Sequence, residues 1–256
     1  MKDACLVEKN ECGYMKITIN RPEKRNAVNI EVMELIDRAL DSAAVDETVK
    51  VVILTGTGED AFCSGGDLSV FHKLRTEEES FVMLSKMGKI LYKLAILPKP
   101  TIAVLNGSAV GGGCEIASAC DFRLAREGIN IGFVQGTLGI TTGWGGASLL
   151  FEKLPVGAAM ELLLGAEIHS AEAAKEKGFI DQVITNTEAD SASFISSFLE
   201  RELGVLSAYK ELVIAKWIQA GLKQRMEQES RQCAKLWATD AHHKAVERFL
   251  NRKGQS

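Results

Sequence analysis

Thr101-Ile102-Ala103-Val104-Leu105-Asn106-Gly107-Ser108-Ala109-Val110-Gly111-Gly112-Gly113-Cys114-Glu115 passes from five apolar and β-branched residues, through a glycine triplet, into a short apolar segment ending at Ala119. Pro98 and Pro100 precede the run, and five residues is strand length, so 101–105 reads as a strand buried on both faces. The segment 115–119 reads as a short helix opened by the glycines, and 121–125 as the next strand.

Working outward, the same helix-then-strand alternation recurs upstream. Val32, Leu35, Ile36, Ala39 and Leu40 have helical spacing after a candidate cap at Asn29, and 49–55 is rich in β-branched residues. A helix is predicted over 77–97. Two alternating stretches, 5–8 and 15–20, flank Glu11-Cys12-Gly13 and predict a β-hairpin. Strands alternating with helices imply right-handed crossovers and a mostly parallel sheet, an α/β fold. Beyond Trp144 the pattern turns to helix after helix, at 155–164, 170–177, 188–201, 207–219, 222–238 and 240–252. An α/β core over 1–185 with a helical segment over 186–256 is the expected organisation. Trp217 and Trp237 are candidate anchors in the core or at an interface.

Composition sets the outer limits. The chain has 256 residues, 46% hydrophobic and 25% charged, proportions that exclude disorder, collagen and small disulfide scaffolds. A net charge of -4 argues against nucleic acid as a partner, since phosphate binding needs a concentrated cationic surface. No apolar run reaches membrane-spanning length, and acids stand within the first ten residues, so a cytoplasmic protein with no membrane association is expected. The six cysteines include no CxxC pair and the four histidines complete no metal set, so reduced thiols and no metal are expected.

Three glycine clusters follow predicted strands, where open α/β sheets place ligands. Gly56-Thr57-Gly58-Glu59-Asp60-Ala61 matches the dinucleotide fingerprint G-x-G-x-x-G/A, but the chain runs on into Ser64-Gly65-Gly66-Asp67, a further turn, where that fingerprint needs a helix. The cluster 107–113 lacks the lysine of a P-loop. A better reading is that 64–67 and 111–113 both aim backbone N–H groups at one small anionic target, an oxyanion hole that would stabilise a thioester enolate.

Asn20-Arg21-Pro22-Glu23-Lys24-Arg25-Asn26-Ala27, Ala61-Phe62-Cys63-Ser64-Gly65-Gly66-Asp67-Leu68, the segment 106–115, Cys120-Asp121, and Leu138-Gly139-Ile140 with Gly143-Trp144-Gly145-Gly146 resemble, in order, the enoyl-CoA hydratase/isomerase (crotonase) superfamily. The resemblance implies a spiral of ββα units, a helical C-terminal trimerisation segment, a homotrimer or dimer of trimers, and an acyl-CoA substrate with no further cofactor. It implies oxyanion donors at Gly66 and Gly112. It also implies that Lys24 and Ala27 meet the nucleotide of coenzyme A, and that Ser64, Gly65, Asp67 and Leu68 line the thioester. The region 71–94 is expected to hold acyl-specificity positions.

Hydratases of this superfamily use two glutamates. The first corresponds to Glu115; at the second position this chain has Gln135, which cannot exchange a proton at neutral pH. One carboxylate and an oxyanion hole can still hydrate, or move a double bond by shuttling a proton between Cα and Cγ. They can also protonate the enolate left by decarboxylation of a methylmalonyl or ethylmalonyl thioester. The segments 120–124 and 139–146 are similar to the ethylmalonyl-CoA decarboxylase branch. A non-catalytic CoA-binding role is the remaining alternative.

Overall fold

The computed structural model describes residues 3–253; Met1 and Lys2, part of the acid-bearing N-terminal stretch, lie outside the described residues. The hairpin forms as expected from β1 (Cys5–Lys9) and β2 (Tyr14–Ile19). Then come α1 (Ile30–Val45), β3 (Val51–Gly56), β4 (Ala61–Cys63), α2 (Leu68–Phe71), α3 (Glu77–Ala95), β5 (Thr101–Leu105), β6 (Ser108–Val110) and α4 (Gly112–Ala119). After β7 (Phe122–Arg126), β8 (Asn130–Gly132) and a 3-10 helix at Val134–Leu138 follow α5 (Gly146–Lys153), α6 (Val156–Gly165), β9 (His169–Ser170), α7 (Ala171–Glu176) and β10 (Gln182–Ile184). Helices α8 (Thr187–Leu199), α9 (Leu203–Gln219), α10 (Leu222–Trp237) and α11 (Asp240–Lys253) end the described chain.

Capping chemistry sets several boundaries. The Asn29 side chain accepts from Val32 N–H at 2.9 Å and starts α1. Thr76 and Glu79 form a reciprocal capping box at the start of α3.

Two sheets result. The larger has the order β1-β2-β3-β5-β7-β10 and is parallel except for its first pair, in line with the alternation in the sequence. The smaller, β4-β6-β8-β9, carries the second strand of each ββα unit that the resemblance implied; periodicity could not place it, because its strands are two or three residues long, too short to carry a period. The repeating unit is thus a long strand, a short strand and a helix. Its turn-by-turn return sets β4, β6 and β8 side by side, each at the exit of its own long strand.

Two expectations are corrected. The stretch after Trp144 is not helix after helix, because β9 and β10 interrupt it. Helix α4 begins at Gly112 rather than at Glu115, which leaves the first N–H groups of the glycine triplet outside the intrahelical ladder.

One face of the large sheet packs, through residues such as Ile17 and Leu54, against α1, α3, α4 and α10. The other face, with Val51, Ile102 and Leu124, is covered by α8, whose Phe194 and Phe198 rings stand 5.4 and 5.5 Å from that of Phe122. Helix α10 lies along α3, and Trp217 and Trp237 are both buried in the main core. No described helix is long and apolar enough to cross a membrane.

Candidate active site

The site forms where the exits of β4 and β6 meet. Buried Asn26 donates to Thr57 O at 3.0 Å and Ala61 O at 2.7 Å, which holds the 24–28 turn against the strand pair. Val28 N–H then donates to Gly65 O at 2.8 Å and Asp67 N–H to Val28 O at 2.9 Å. Between them the N–H of Gly66 donates to no acceptor among the described residues.

The second loop mirrors this. Gly111, at φ 58° and ψ -118°, is in a conformation that a Cβ all but forbids, and its N–H is bound to Gly132 O at 2.8 Å. The turn that it makes puts Gly112 at the first position of α4, where its N–H also has no acceptor among the described residues. A Cβ on Gly65 would lie 3.0 Å from Gly112 N, so the two loops touch. Two N–H groups without an acceptor among the described residues thus stand on abutting loops, as donors to an oxyanion would.

Glu115, one turn into α4, is buried at 3% exposure. Its Oε2 accepts from Trp144 N–H at 2.8 Å and Gly146 N–H at 3.0 Å; its Oε1 accepts from Gln135 Nε2 at 3.1 Å and, more loosely, Gly143 N–H at 3.4 Å. Burial, and after it the negative charge of Glu229, push this carboxyl up to about 7, against the pull of the three N–H groups. It is therefore poised to take and return a proton near neutrality. Gln135, from the 3-10 helix, is 8% exposed, and its Oε1 is buried with no hydrogen-bond partner. The carboxylate takes the amide's donor end, so the acceptor end is the one left over.

All ten candidate residues line one cavity of about 700 Å³: Lys24, Ala27, Ser64, Gly65, Gly66, Asp67, Leu68, Gly112, Glu115 and Gln135. Asp67 is also structural. It caps α2 at Ser69 N–H and pairs with Arg21 at 2.8 Å. Burial alone would raise its carboxyl, but the Ser69 hydroxyl and the Arg21 guanidinium outweigh it and hold it below the usual range. Within the 71–94 region, Phe71, Met83 and Leu84 reach the cavity.

Sequence reasoning did not assign Trp144, Cys233 or Trp237 to the site, yet all three line the cavity. Trp144 stood in the quoted Gly143-Trp144-Gly145-Gly146 motif, where a tryptophan between glycines was a usable signal. The α10 residues gave none, since their apolar spacing reads as ordinary helix core. Among the described residues no group of three or more His, Cys, Asp or Glu converges as metal ligands would. The cysteines are free, and burial pushes the Cys63 thiol up to about 12, far from a thiolate nucleophile.

With this geometry in place, known proteins can be compared. The family model described as enoyl-CoA hydratase/isomerase matches residues 9–255. The short-chain-enoyl-CoA hydratase of Clostridium acetobutylicum is 31% identical over 239 residues, covering 93% of this chain and 91% of that protein. The ethylmalonyl-CoA decarboxylase of Xenopus laevis is 32% identical over 237 residues, covering 91% of this chain and 77% of that one. Among solved structures, an enoyl-CoA hydratase/isomerase from Xanthobacter autotrophicus superposes with a TM-score of 0.89 at 26% identity, over 99% of this chain and 95% of that one.

Proposed function

Since the chain belongs to the enoyl-CoA hydratase/isomerase family, we propose that it adds water across the α,β double bond of a short, apolar 2-enoyl-CoA thioester. The thioester oxygen accepts from Gly66 and Gly112 N–H. Water sits against Gln135 Oε1 and Glu115. The carboxylate takes a proton from the water as its oxygen bonds to Cβ, the electron pair of the double bond moves onto the thioester as an enolate, and Glu115 returns the proton to Cα. The enzyme ends as it began.

One observation carries this reading. The buried acceptor at Gln135 Oε1 has no partner, and a buried acceptor without a donor costs about 1–3 kcal/mol. Water supplies the missing O–H; a substrate carboxylate has none to give. Lys24 and Arg25, both lining the cavity, offer cationic groups for the phosphates of coenzyme A, and no other cofactor enters the scheme.

A second reading, decarboxylation of a methylmalonyl or ethylmalonyl thioester, is favoured by the Glu115 carboxyl near 7, whose protonated fraction could quench the enolate left by carbon dioxide. Mass spectrometry of a mixed panel of 2-enoyl, 3-enoyl, methylmalonyl and ethylmalonyl thioesters tests both. Gain of water supports hydration, loss of carbon dioxide replaces it with decarboxylation, and an isobaric product marks isomerisation. No change in any species points to binding alone, read by CoA calorimetry. A homotrimer or dimer of trimers is also proposed. It is supported by exposed Tyr209, Leu212 and Ile218 on α9 and Met160 and Leu164 on α6, and light scattering tests it.

A further inference from the structure

The segment 142–148 is gripped from two sides. On one side, its N–H groups at Gly143, Trp144 and Gly146 point at Glu115. On the other, the Glu229 carboxylate of α10 accepts from the hydroxyls of Thr142 at 2.6 Å and Ser148 at 2.7 Å, and from the N–H groups of Ala147 at 3.1 Å and Ser148 at 2.8 Å. The next residue of α10 continues the hold: Ser230 Oγ donates to Gly143 O at 2.7 Å. Cys233 Sγ, a turn further on, contacts Thr141 O at 3.2 Å.

The first three N–H groups of α5, at Gly146, Ala147 and Ser148, are thus divided between two carboxylates. A helix N-terminus welcomes negative charge, but two carboxylates sharing it repel each other. Glu229 takes four donors, two of them hydroxyls. Glu115, deeper and held partly by a long contact, is left as the partner that takes up a proton. Among the described residues, the thiols of Cys114, beside it on α4, and Cys233 on α10 also feel the charge of Glu115. Burial pushes both well above neutrality, so neither adds a charge.

We propose that Glu229 is a positioning residue of this site: it anchors the N–H cradle of Glu115 and, as the second negative charge at the start of α5, makes Glu115 the proton carrier. The inference rests on Glu115 being the proton-transfer group of the proposed reaction, so its test includes a titration that needs no turnover. The buried carboxyl band is followed by infrared difference spectroscopy against pH, and assigned to Glu115 by its loss in Glu115→Gln.

In Glu229→Gln the midpoint of that band is expected to fall by about one pH unit, the size of a nearby like charge removed. In Glu229→Asp, which keeps the charge on a shorter tether, the midpoint holds while kcat on the thioester identified by the panel falls and KM does not. An unchanged midpoint in folded Glu229→Gln overturns the proposal. So does a midpoint in Glu229→Asp that falls as far as in Glu229→Gln. If Glu229→Gln does not fold, Glu229→Asp decides alone: an unchanged midpoint with lower kcat is required, and any other pattern overturns the proposal. If no thioester in the panel is turned over, the infrared arm still decides the role of Glu229, and only the hydration reading falls.

Discussion

A Cβ built on Gly112 would lie 2.3 Å from the ring of Trp144, and the N–H of that same tryptophan donates to Glu115 at 2.8 Å. One residue therefore touches both the proposed oxyanion donor and Glu115. In Gly112→Ala the indole must move, and the Glu115 cradle moves with it. The N–H of residue 112 is kept but displaced, and the expected loss in kcat is about 10²-fold, the scale of one oxyanion donor put out of reach. Steady-state kinetics on a variant with native circular dichroism checks it; unimpaired turnover would remove Gly112 from the mechanism.

Glu115→Gln removes the carboxylate placed against the proposed water. Turnover should fall by about 10²–10⁴-fold, the span of general acid–base catalysis, while calorimetric binding of a thioester analogue stays close to wild type. A comparable loss of binding would mean that Glu115 shapes the cavity rather than reacts.

The pH profile separates the two candidate reactions by sign. In hydration Glu115 must be ionised to accept the proton of water, so kcat/KM climbs with pH and levels off above about 7. Decarboxylation needs the protonated acid and would give a rate that declines through the same point.

The same group leaves a mark on stability. Its carboxyl is near 7 in the fold and near 4.5 when exposed. Between those values the folded state holds a proton that the unfolded state has released, so the contribution of Glu115 to stability decreases as pH rises from about 4.5 to about 7. Glu115→Gln lacks this term. Its Tm relative to wild type should therefore improve steadily from pH 4.5 to pH 8; a pH-independent difference would contradict the raised carboxyl.

Gln135→Glu restores a second proton-exchanging group at the buried position facing Glu115. Hydration of crotonyl-CoA, followed by loss of enoyl absorbance, should accelerate. No gain, with an acid-bearing thioester still consumed, would count against hydration.

The large sheet and the glycine loops were legible because their residues speak locally: β-branched runs such as 101–105, and triplets at 111–113 that only a tight turn tolerates. The resemblance supplied the pairing of Gly66 with Gly112, which spacing alone left open. The small sheet was implied only by the resemblance, because Ala61–Cys63 and Asn130–Gly132 are too short to show alternation. Glu229 stayed hidden for another reason. On a polar helix face a glutamate looks like a solvated charge, and only the return of α10 across α3 reveals what it holds.

The clamp between Thr142 and Glu229 spans 87 positions of chain. At synthesis rates of about 5–20 residues per second, that is roughly 4–17 s during which the glycine loops have been made but the strut behind them has not. On the proposed mechanism, a nascent or prematurely released chain would bear the two glycine loops without the Glu229 hold behind Glu115, and would be catalytically silent. If the proposal for Glu229 holds, activity switches on late in biogenesis and reports completion of the C-terminal helices.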